Sequence, residues 1–406
     1  MPPPPPPHPL TPGPHTFHSA SKNLTFEYII HTNAPQPISH DHHHYNNHNL
    51  IIIHPPAWGL GSSYLQHDLN GLLTPSPSPS NPKPKPYILL FHHPRGTGRS
   101  TRPTSQTAMS SFELATDLED LRIHLNLEKI PTLLGHSNGG AIALAYAEMY
   151  PERVERLVLV GGQLIGFKSI RAKEEEEEEE EKKGGQDEND DTDQDEEKDV
   201  HWERRVGNEN QYENGYANDN NDNNNQNKNE QRQRHTDGDN QQHSKEHIYN
   251  RTETNTNILK TPNHDPRSSN KTQLKLDKSS DSAFTASVNA MWPLYFSNPA
   301  EYVPVLLSAI GGHVMSVWCY EGVYGSDRVY EESGEMVRRL GDVKARTLII
   351  AGAEDRACRV ESAEKMRNGI DASRLVVCEG CGHFPWIEAR LKTLNEIREF
   401  IEETLF

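Results

Sequence analysis

A serine stands in a short glycine-rich segment of the chain, Gly135-His136-Ser137-Asn138-Gly139-Gly140. An apolar run at 131–134 precedes this segment, and a run of small residues at 141–147 follows it. A serine at a sharp turn between a strand and a helix projects its hydroxyl from the end of the strand, and glycines two positions to either side let the backbone approach closely. The pattern predicts that Ser137 is a nucleophile.

Two further residues have the chemistry that such a serine requires. A serine hydroxyl is a weak nucleophile until a base takes its proton, and the base in turn needs an acid to orient it. His383 and Asp355 each follow a short apolar run of strand length, and the order serine, aspartate, histidine is typical of this kind of turn. We expect His383 to be the base and Asp355 the acid, in preference to the neighbouring Glu354.

Backbone N–H groups are also expected near the nucleophile, because negative charge develops on the substrate oxygen during acyl transfer. Asn138, directly after the serine, is expected to supply one donor to this oxyanion hole. The second is expected from the segment Pro55-Pro56-Ala57-Trp58, which follows an apolar run at 50–54. Proline has no N–H. The second donor is therefore predicted to be Ala57 or Trp58.

The elements that position these residues alternate between strand and helix, which predicts an α/β fold with a mostly parallel sheet flanked by helices. Ser110 followed three residues later by Glu113 is typical of a helix start. Strands are predicted at 26–31, 50–54, 87–91, 131–134, 156–160, 347–351 and 375–378. Further helices are predicted at 139–150 and over the last 16 residues, where apolar residues recur with helical spacing.

The composition indicates that part of the chain does not fold. Only 33% of the 406 residues are hydrophobic, and the segment 171–280 holds 29 acidic and 17 basic residues with few apolar ones. The predicted organisation is as follows: a disordered proline-rich tail at 1–21, a core at 22–168, a disordered acidic and Asn-rich insert at 169–282, a helical cap at 283–340, and the rest of the core at 341–406.

Charge and hydropathy argue against several classes of partner. The net charge of −18 and the lack of a basic stripe disfavour nucleic acid. No run approaches the roughly 20 apolar residues that span a bilayer, and the polyproline start does not resemble a signal peptide, so we expect a cytoplasmic protein that does not bind membranes. Cys378 and Cys381 have the spacing of half a zinc site, but no second pair exists, and we expect neither a metal nor a cofactor. The oligomeric state is not predicted.

The chain resembles α/β-hydrolases of the proline iminopeptidase-like branch over 22–168 and 283–404. The resemblance rests on the block 54–63, on His93-Pro94-Arg95-Gly96-Thr97-Gly98-Arg99-Ser100, which is similar to the family's D-x-R-G-x-G-x-S, on 135–153, and on the segments around Asp355 and His383. It implies an α/β-hydrolase fold whose helical cap covers the site. Aromatic residues of the cap are then expected to line the substrate pocket: Trp292, Tyr295, Phe296 and Trp318.

These observations predict a serine hydrolase that cleaves an ester or amide of a small molecule or short peptide through an acyl-enzyme. A proline iminopeptidase-type aminopeptidase is an alternative, and it would need cap carboxylates for the substrate's ammonium group. Glu301 and Glu321 are the candidates for that role. A non-catalytic ligand-binding protein of the same fold is the alternative from another class, although the chain keeps all three candidate catalytic residues.

Overall fold

The computed structural model describes residues 9–35, 49–74, 86–168 and 276–403. The predicted disorder of the acidic insert concerns 169–275, which lie outside the described residues, and so do residues 1–8 of the proline-rich tail. None of the described helices is long and apolar enough to cross a membrane.

Eight strands form one sheet. In chain order they are β1 (Gly13–Ser19), β2 (Leu24–Thr32), β3 (Asn49–His54), β4 (Tyr87–His93), β5 (Ile130–His136), β6 (Val154–Val160), β7 (Arg346–Gly352) and β8 (Ser373–Cys378). Their order across the sheet is β1-β2-β4-β3-β5-β6-β7-β8. The first two strands pair antiparallel, as do β2 and β4, and all later pairs are parallel. The predicted mostly parallel sheet is confirmed.

Helices lie between the strands and at the C-terminus. They are α1 (Ser63–Leu69), α2 (Ser111–His124), α3 (Asn138–Met149), α4 (Asp281–Met291), α5 (Pro299–Ile310), α6 (Val317–Ser333), α7 (Glu335–Arg338), α8 (Val360–Gly369), α9 (Pro385–Glu388) and α10 (Arg390–Glu402). The start of α2 is capped as predicted, since the Ser110 hydroxyl accepts the Glu113 N–H at 3.1 Å. Helices α4 to α7 form the cap, between β6 and β7.

The central strands are apolar over most of their length because helices cover both faces of the sheet. Successive residues of β3 point to opposite sides. Ile52 packs with α2 and α3 on one face, whereas Ile51 and Ile53 pack with α1 and α10 on the other. This two-sided burial explains why β3 to β6 lack the alternation of polar and apolar residues that marks a half-exposed strand.

Two predicted boundaries are wrong. The tail was expected to run to residue 21, but β1 occupies Gly13–Ser19 and pairs with β2 along its whole length. Phe17 stacks on Phe26 of β2 with ring centroids 5.2 Å apart, and Leu10 is fully buried. The sequence did not indicate this strand because the segment is rich in proline and only two of its seven residues, Phe17 and Ser19, are buried. The insert was expected to end at 282, but α4 begins at Asp281, where the Ser280 hydroxyl accepts the Ala283 N–H at 3.1 Å.

The parallel strands bring six chain segments to one edge of the sheet, because parallel strands end on the same side. These segments follow β3, β4, β5, β6, β7 and β8. They carry the Pro55-Pro56 loop, the turn at 93–100, Ser137, Gly161, Asp355 and His383 respectively. Every predicted catalytic residue thus comes to the same edge.

Candidate active site

Ser137 lies at a strained turn between β5 and α3. Its φ of 55° and ψ of −123° are unusual for a residue with a side chain. A side chain on Gly135 would collide with the backbone of Gly139 and Gly140, and one on Gly139 would collide with the His54 carbonyl. The two glycines allow the close backbone approach that the sequence pattern predicted.

Asp355 and His383 are in direct contact. The Nδ1 atom of His383 donates to Oδ2 of Asp355 at 2.7 Å, and both side chains are buried. The other oxygen of Asp355, Oδ1, accepts the N–H groups of Ala357 and Cys358 at 2.8 and 2.9 Å. These two bonds hold the carboxylate in place beneath the ring. Glu354, the rival acid, points to solvent.

Main-chain contacts hold the Asp355 and His383 loops together. Ala353 donates its N–H to the Cys378 carbonyl at 3.0 Å, and Glu354 donates to the Cys381 carbonyl at 2.9 Å. Gly352 makes this possible, because a side chain there would collide with the carbonyls of the histidine loop. The spacing between the acid and the base is therefore set by backbone.

Gly161, at the end of β6, lies beside both the serine and the histidine. The Ser137 N–H donates to the carbonyl of the preceding residue, Val160, at 3.2 Å. A Cβ atom on Gly161 would stand 3.2 Å from Nδ1 of His383. The structure thus brings Ser137, His383 and Asp355 into one cluster at the edge of the sheet.

Cys358 is a site residue that the sequence did not suggest. Burial raises the pKa of its thiol well above the ordinary value, the Asp355 carboxylate raises it further, and a hydrogen bond with the Ser137 hydroxyl opposes the shift. The thiol therefore stays protonated and borders the nucleophile. Cys358 lies only three residues after Asp355, but this spacing indicates a site residue only once the loop is seen to fold back towards Ser137.

The segment after β3 lies against the nucleophile turn. The Ala57 N–H donates to the side-chain oxygen of Asn138 at 3.2 Å, so this predicted oxyanion donor has a protein partner. The Trp58 carbonyl accepts the N–H of Ser316 from the cap at 2.8 Å. Asn138 itself begins α3, where the first N–H groups of a helix have no partner within the helix. Both predicted donor segments thus lie at this turn.

Three of the four predicted pocket residues lie around the histidine loop. The Tyr295 ring is 5.4 Å from the His383 ring, and the rings of Trp292 and Phe296 lie 5.9 and 4.9 Å from that of Phe384. The Tyr295 carbonyl also accepts the His383 N–H at 2.7 Å. Aromatic rings of the cap therefore form the surroundings of the base.

The fourth predicted pocket residue, Trp318, lies in a different environment. The guanidinium group of Arg102 covers its ring at 5.1 Å, and its carbonyl accepts from the Gln106 side chain at 2.9 Å. The structure does not join it to the ring contacts around His383. Trp318 instead connects the cap to the segment that precedes α2.

Tyr324 of α6 lies beside the segment after β3. Its ring is 6.1 Å from that of Trp58 and 4.6 Å from that of Tyr320. Desolvation raises the pKa of its phenol well above the ordinary value, and Tyr320 and Tyr295 raise it further. Tyr324 therefore brings an aromatic ring of the cap to the predicted oxyanion segment.

The two candidate carboxylates for an ammonium group lie on the outside of the cap. Glu301 is exposed and accepts from the side chain of Asn298 at 2.9 Å. Glu321 is also exposed and pairs with Lys278 at 3.5 Å. Neither acid is desolvated, so neither provides the buried negative charge that would bind a substrate amine.

The segment at 93–100 has a structural role near the site. Arg95 makes two hydrogen bonds of 2.7 Å to the buried carboxylate of Asp117 on α2. His93 stands where the family usually has aspartate, and it bridges Glu27 at 2.9 Å and Ser62 at 2.9 Å. These bonds fix the turn after β4 beneath the cap.

Two buried histidines lie at the ends of β3 and β4, with ring centroids 5.2 Å apart. Burial lowers the pKa of His54 to about 4 and that of His92 well below the ordinary value. Nδ1 of His54 donates to the Pro55 carbonyl at 2.8 Å, while its Nε2 and both ring nitrogens of His92 have no hydrogen-bond partner among the described residues. Both rings are therefore held neutral.

No group of three or more metal-binding side chains occurs within the described ranges. Cys378 and Cys381 are free thiols, and both are buried.

Comparison with known proteins agrees with this architecture. The family model of the α/β-hydrolase fold matches residues 88–389, which is most of the chain. The chain belongs to the α/β-hydrolase family. Its candidate site lies at the carboxyl ends of the parallel strands, beside the cap inserted after β6.

Individual relatives match over shorter stretches. An abhydrolase domain-containing protein of Caenorhabditis elegans, abhd-5.2, is 46% identical over 66 residues, which is 16% of this chain and 15% of that protein. A proline iminopeptidase of Xylella fastidiosa is 37% identical over 75 residues, or 18% of this chain and 24% of that protein. The matches thus span less than a quarter of these relatives' lengths.

Solved structures match over nearly the whole chain. An esterase from Exiguobacterium antarcticum superimposes with a TM-score of 0.52 and 14% identity, and the match covers 97% of this chain and all of that chain. At this identity the likeness concerns the fold. The likeness therefore supports the α/β-hydrolase fold and no particular reaction.

Proposed function

We propose that the chain is a serine hydrolase in which Ser137 is the nucleophile, His383 the general base and Asp355 the acid that orients the base. The observation that carries the proposal is the 2.7 Å bond between Nδ1 of His383 and the buried carboxylate of Asp355, beside a serine at a strained turn. A carboxylate in this position fixes the tautomer of the ring and stabilises its protonated form.

In the first half of the reaction, Nε2 of His383 takes the proton of the Ser137 hydroxyl as the oxygen attacks the substrate carbonyl carbon. The bond from carbon to the leaving group breaks, and the imidazolium returns the proton to that group. The Asn138 N–H and the Trp58 N–H stabilise the oxyanion, since the Ala57 N–H already donates to the Asn138 side chain. A donor of this kind is worth a few kcal/mol in the transition state.

In the second half, water replaces the leaving group. His383 takes a proton from the water molecule, the hydroxide attacks the acyl carbon, and the bond to Ser137 Oγ breaks as the proton returns to the serine. The products are a carboxylic acid and the regenerated enzyme. The bonds and protons of both halves balance with Ser137, His383 and water alone, so the proposed mechanism needs no cofactor.

We propose an uncharged ester of a small molecule as the preferred substrate, ahead of an amide or a short peptide. The aromatic rings of Tyr295, Phe296 and Trp292 near His383 favour an apolar acyl group. A charged amine would be desolvated without a partner, because Glu301 and Glu321 are exposed, and an unpaired buried charge costs several kcal/mol.

Labelling with a fluorophosphonate tests the nucleophile. The full chain should be labelled on Ser137 and should hydrolyse p-nitrophenyl esters. The Ser137→Ala variant should fold, escape labelling and lose about 10⁴-fold or more in kcat. Labelling that persists in a folded Ser137→Ala variant would remove this residue from the mechanism.

An aminopeptidase of the proline iminopeptidase type is the second candidate, and the likeness to the Xylella enzyme favours it. Hydrolysis of p-nitrophenyl butyrate and of proline p-nitroanilide by the same preparation separates the two candidates. The ester should have the higher kcat/KM. A higher kcat/KM for the prolyl amide, lost in Glu301→Gln or Glu321→Gln, would replace the esterase proposal with the aminopeptidase one.

A further inference from the structure

A continuous row of hydrogen bonds connects the cap to the residue after the nucleophile. Both carboxylate oxygens of Asp327, on α6, accept from Ser111: its N–H and its hydroxyl each donate at 2.7 Å. The Ser111 hydroxyl oxygen accepts from Nδ2 of Asn138 at 3.3 Å. The Asn138 side-chain oxygen accepts the Ala57 N–H at 3.2 Å. Four residues from four segments of the chain are thus joined.

All four residues are buried, Asp327 at 5% exposure and the others fully. Water therefore has little access to replace any of these bonds, and a broken bond would leave a buried polar group without a partner. Each donor in the row has one acceptor. The Ser111 hydroxyl gives its proton to the carboxylate, so it can only accept from Asn138, and the Asn138 carboxamide is held in one of its two orientations.

That orientation matters because Asn138 and Ala57 belong to the two backbone segments from which the oxyanion donors are expected. The Asn138 side-chain oxygen fixes how far the segment after β3 stands from the turn at Ser137. Oxyanion donors act only when they are aimed at the position of the developing charge. A carboxamide turned the other way would present an N–H group to the Ala57 N–H and push the two segments apart.

We propose that Asp327 is a positioning residue for the reaction and acts through Ser111 and the Asn138 side chain to set the spacing of the oxyanion hole. The inference rests on the proposed function, since it concerns the charge that forms when Ser137 attacks. Asp327 lies on the cap, whereas Ser111 is the first residue of α2 in the core. The cap thus contributes to the geometry of catalysis as well as covering the site.

A double-mutant cycle tests this role with p-nitrophenyl butyrate as the probe. Asp327→Ala and Asn138→Ala should each lower kcat by about tenfold, with KM changed by less than about twofold, because the interaction is used mainly in the transition state. The double variant should be no slower than Asn138→Ala alone, since residues that act in series do not add. Asp327→Asn, which retains one acceptor, should recover part of the loss.

Glu332→Gln is the matched control, because Glu332 is an exposed carboxylate on the same helix, where it pairs with Arg328. It should leave kcat unchanged. Losses that multiply in the double variant, or an unchanged kcat in Asp327→Ala, would overturn the proposal. Where Asp327→Ala does not fold, Ser111→Ala takes its place in the cycle with the same expected non-additivity and the same outcomes against it.

Ser137→Ala distinguishes this inference from the proposed function. Activity that survives in Ser137→Ala refutes the serine mechanism and the positioning role with it. Activity lost in Ser137→Ala but unaffected by Asp327→Ala and Ser111→Ala refutes the positioning role alone.

Discussion

The edge of the sheet that carries Ser137, Asp355 and His383, here called the catalytic edge, is built differently from the cap with its aromatic residues. At the catalytic edge, backbone does the positioning: Asp355 is held by two N–H groups, and its loop is bonded to the histidine loop through main-chain atoms. In the cap, side chains do it: rings meet at about 5 to 6 Å around Phe384 and His383. The position of the acid and the base thus depends on main-chain atoms that substitutions other than proline preserve, while the ring contacts of the cap depend on side chains that can change one at a time.

The strongest test of this contrast is Asp355→Asn. The carboxamide would keep an oxygen for the backbone N–H groups, but it would favour the wrong tautomer of His383. We expect kcat to fall by about 10⁴-fold with little change in KM, as for the equivalent change in other serine triads. Steady-state kinetics with a p-nitrophenyl ester measures it.

Glu354→Gln is the control for that variant, because it removes the adjacent carboxylate and leaves the loop unchanged. It should retain full activity. Equal losses in the two variants would mean that the loop's charge matters and the identity of the acid does not.

Acid should lower the free energy of unfolding because of the buried histidines at the catalytic edge. An unfolded histidine takes up a proton near pH 6.5, whereas folded His54 resists until about pH 4. The unfolded state therefore binds more protons between these values, and stability is lost as the pH falls from 6.5 to 4. His54 alone should cost about 3 kcal/mol of unfolding free energy over this range.

Denaturant unfolding across pH measures that loss. His54→Asn should flatten the dependence, while His18→Asn, which changes an exposed histidine, should not. The same slope in His54→Asn and the unaltered chain would refute the assignment.

A smaller effect is expected in the cap, from Tyr324→Phe. Its ring lies 6.1 Å from that of Trp58 in the predicted oxyanion segment, so removal of its hydroxyl should raise KM for polar esters by about fivefold, equivalent to one neutral hydrogen bond. The kcat value for p-nitrophenyl butyrate should stay within about twofold, because binding and not the transition state is affected. A large fall in kcat with KM unchanged would mean that the Tyr324 hydroxyl acts in the transition state and not in substrate binding.

The smallest expected effect comes from Glu301→Gln and Glu321→Gln. Exposed charges contribute little to binding inside a pocket, so kcat/KM for an uncharged ester should change by less than about twofold. A selective loss with a free amine in the substrate would show that the cap closes further over its ligand than it does in this structure.

Local pattern was enough to predict β2 to β8, the turn at Ser137 and the choice of Asp355 over Glu354 as the neighbour of His383, but it missed β1. Each of these depends on apolar runs and on residues within a few positions of a strand end. The contacts of Asp327 with Ser111 join positions 216 residues apart in the chain. Nothing in either segment indicates the other, because the approach of α6 to α2 is decided by how the cap packs.

Cys358 and Trp318 show two ways in which local sequence fails to predict the site: one site residue was missed, and one predicted pocket residue lies elsewhere. Cys358 had no motif of its own, yet the tight turn after Asp355 directs it to the Ser137 hydroxyl. Trp318 had the type and region of a pocket residue, but its position in the first turn of α6 puts it under Arg102. Residue type predicts what a side chain can do, and helix phase decides where it does it.

The first strand has a consequence for any shortened form of the protein. β1 is the outermost strand, so it covers the hydrogen-bonding groups along the open side of β2. A chain trimmed to residue 22 would present that side of β2 as a free template, and it would expose Phe26. Uncovered strand edges pair with other copies and aggregate. The proline-rich beginning, which looks dispensable, therefore contains the strand that covers β2 and packs against Phe26.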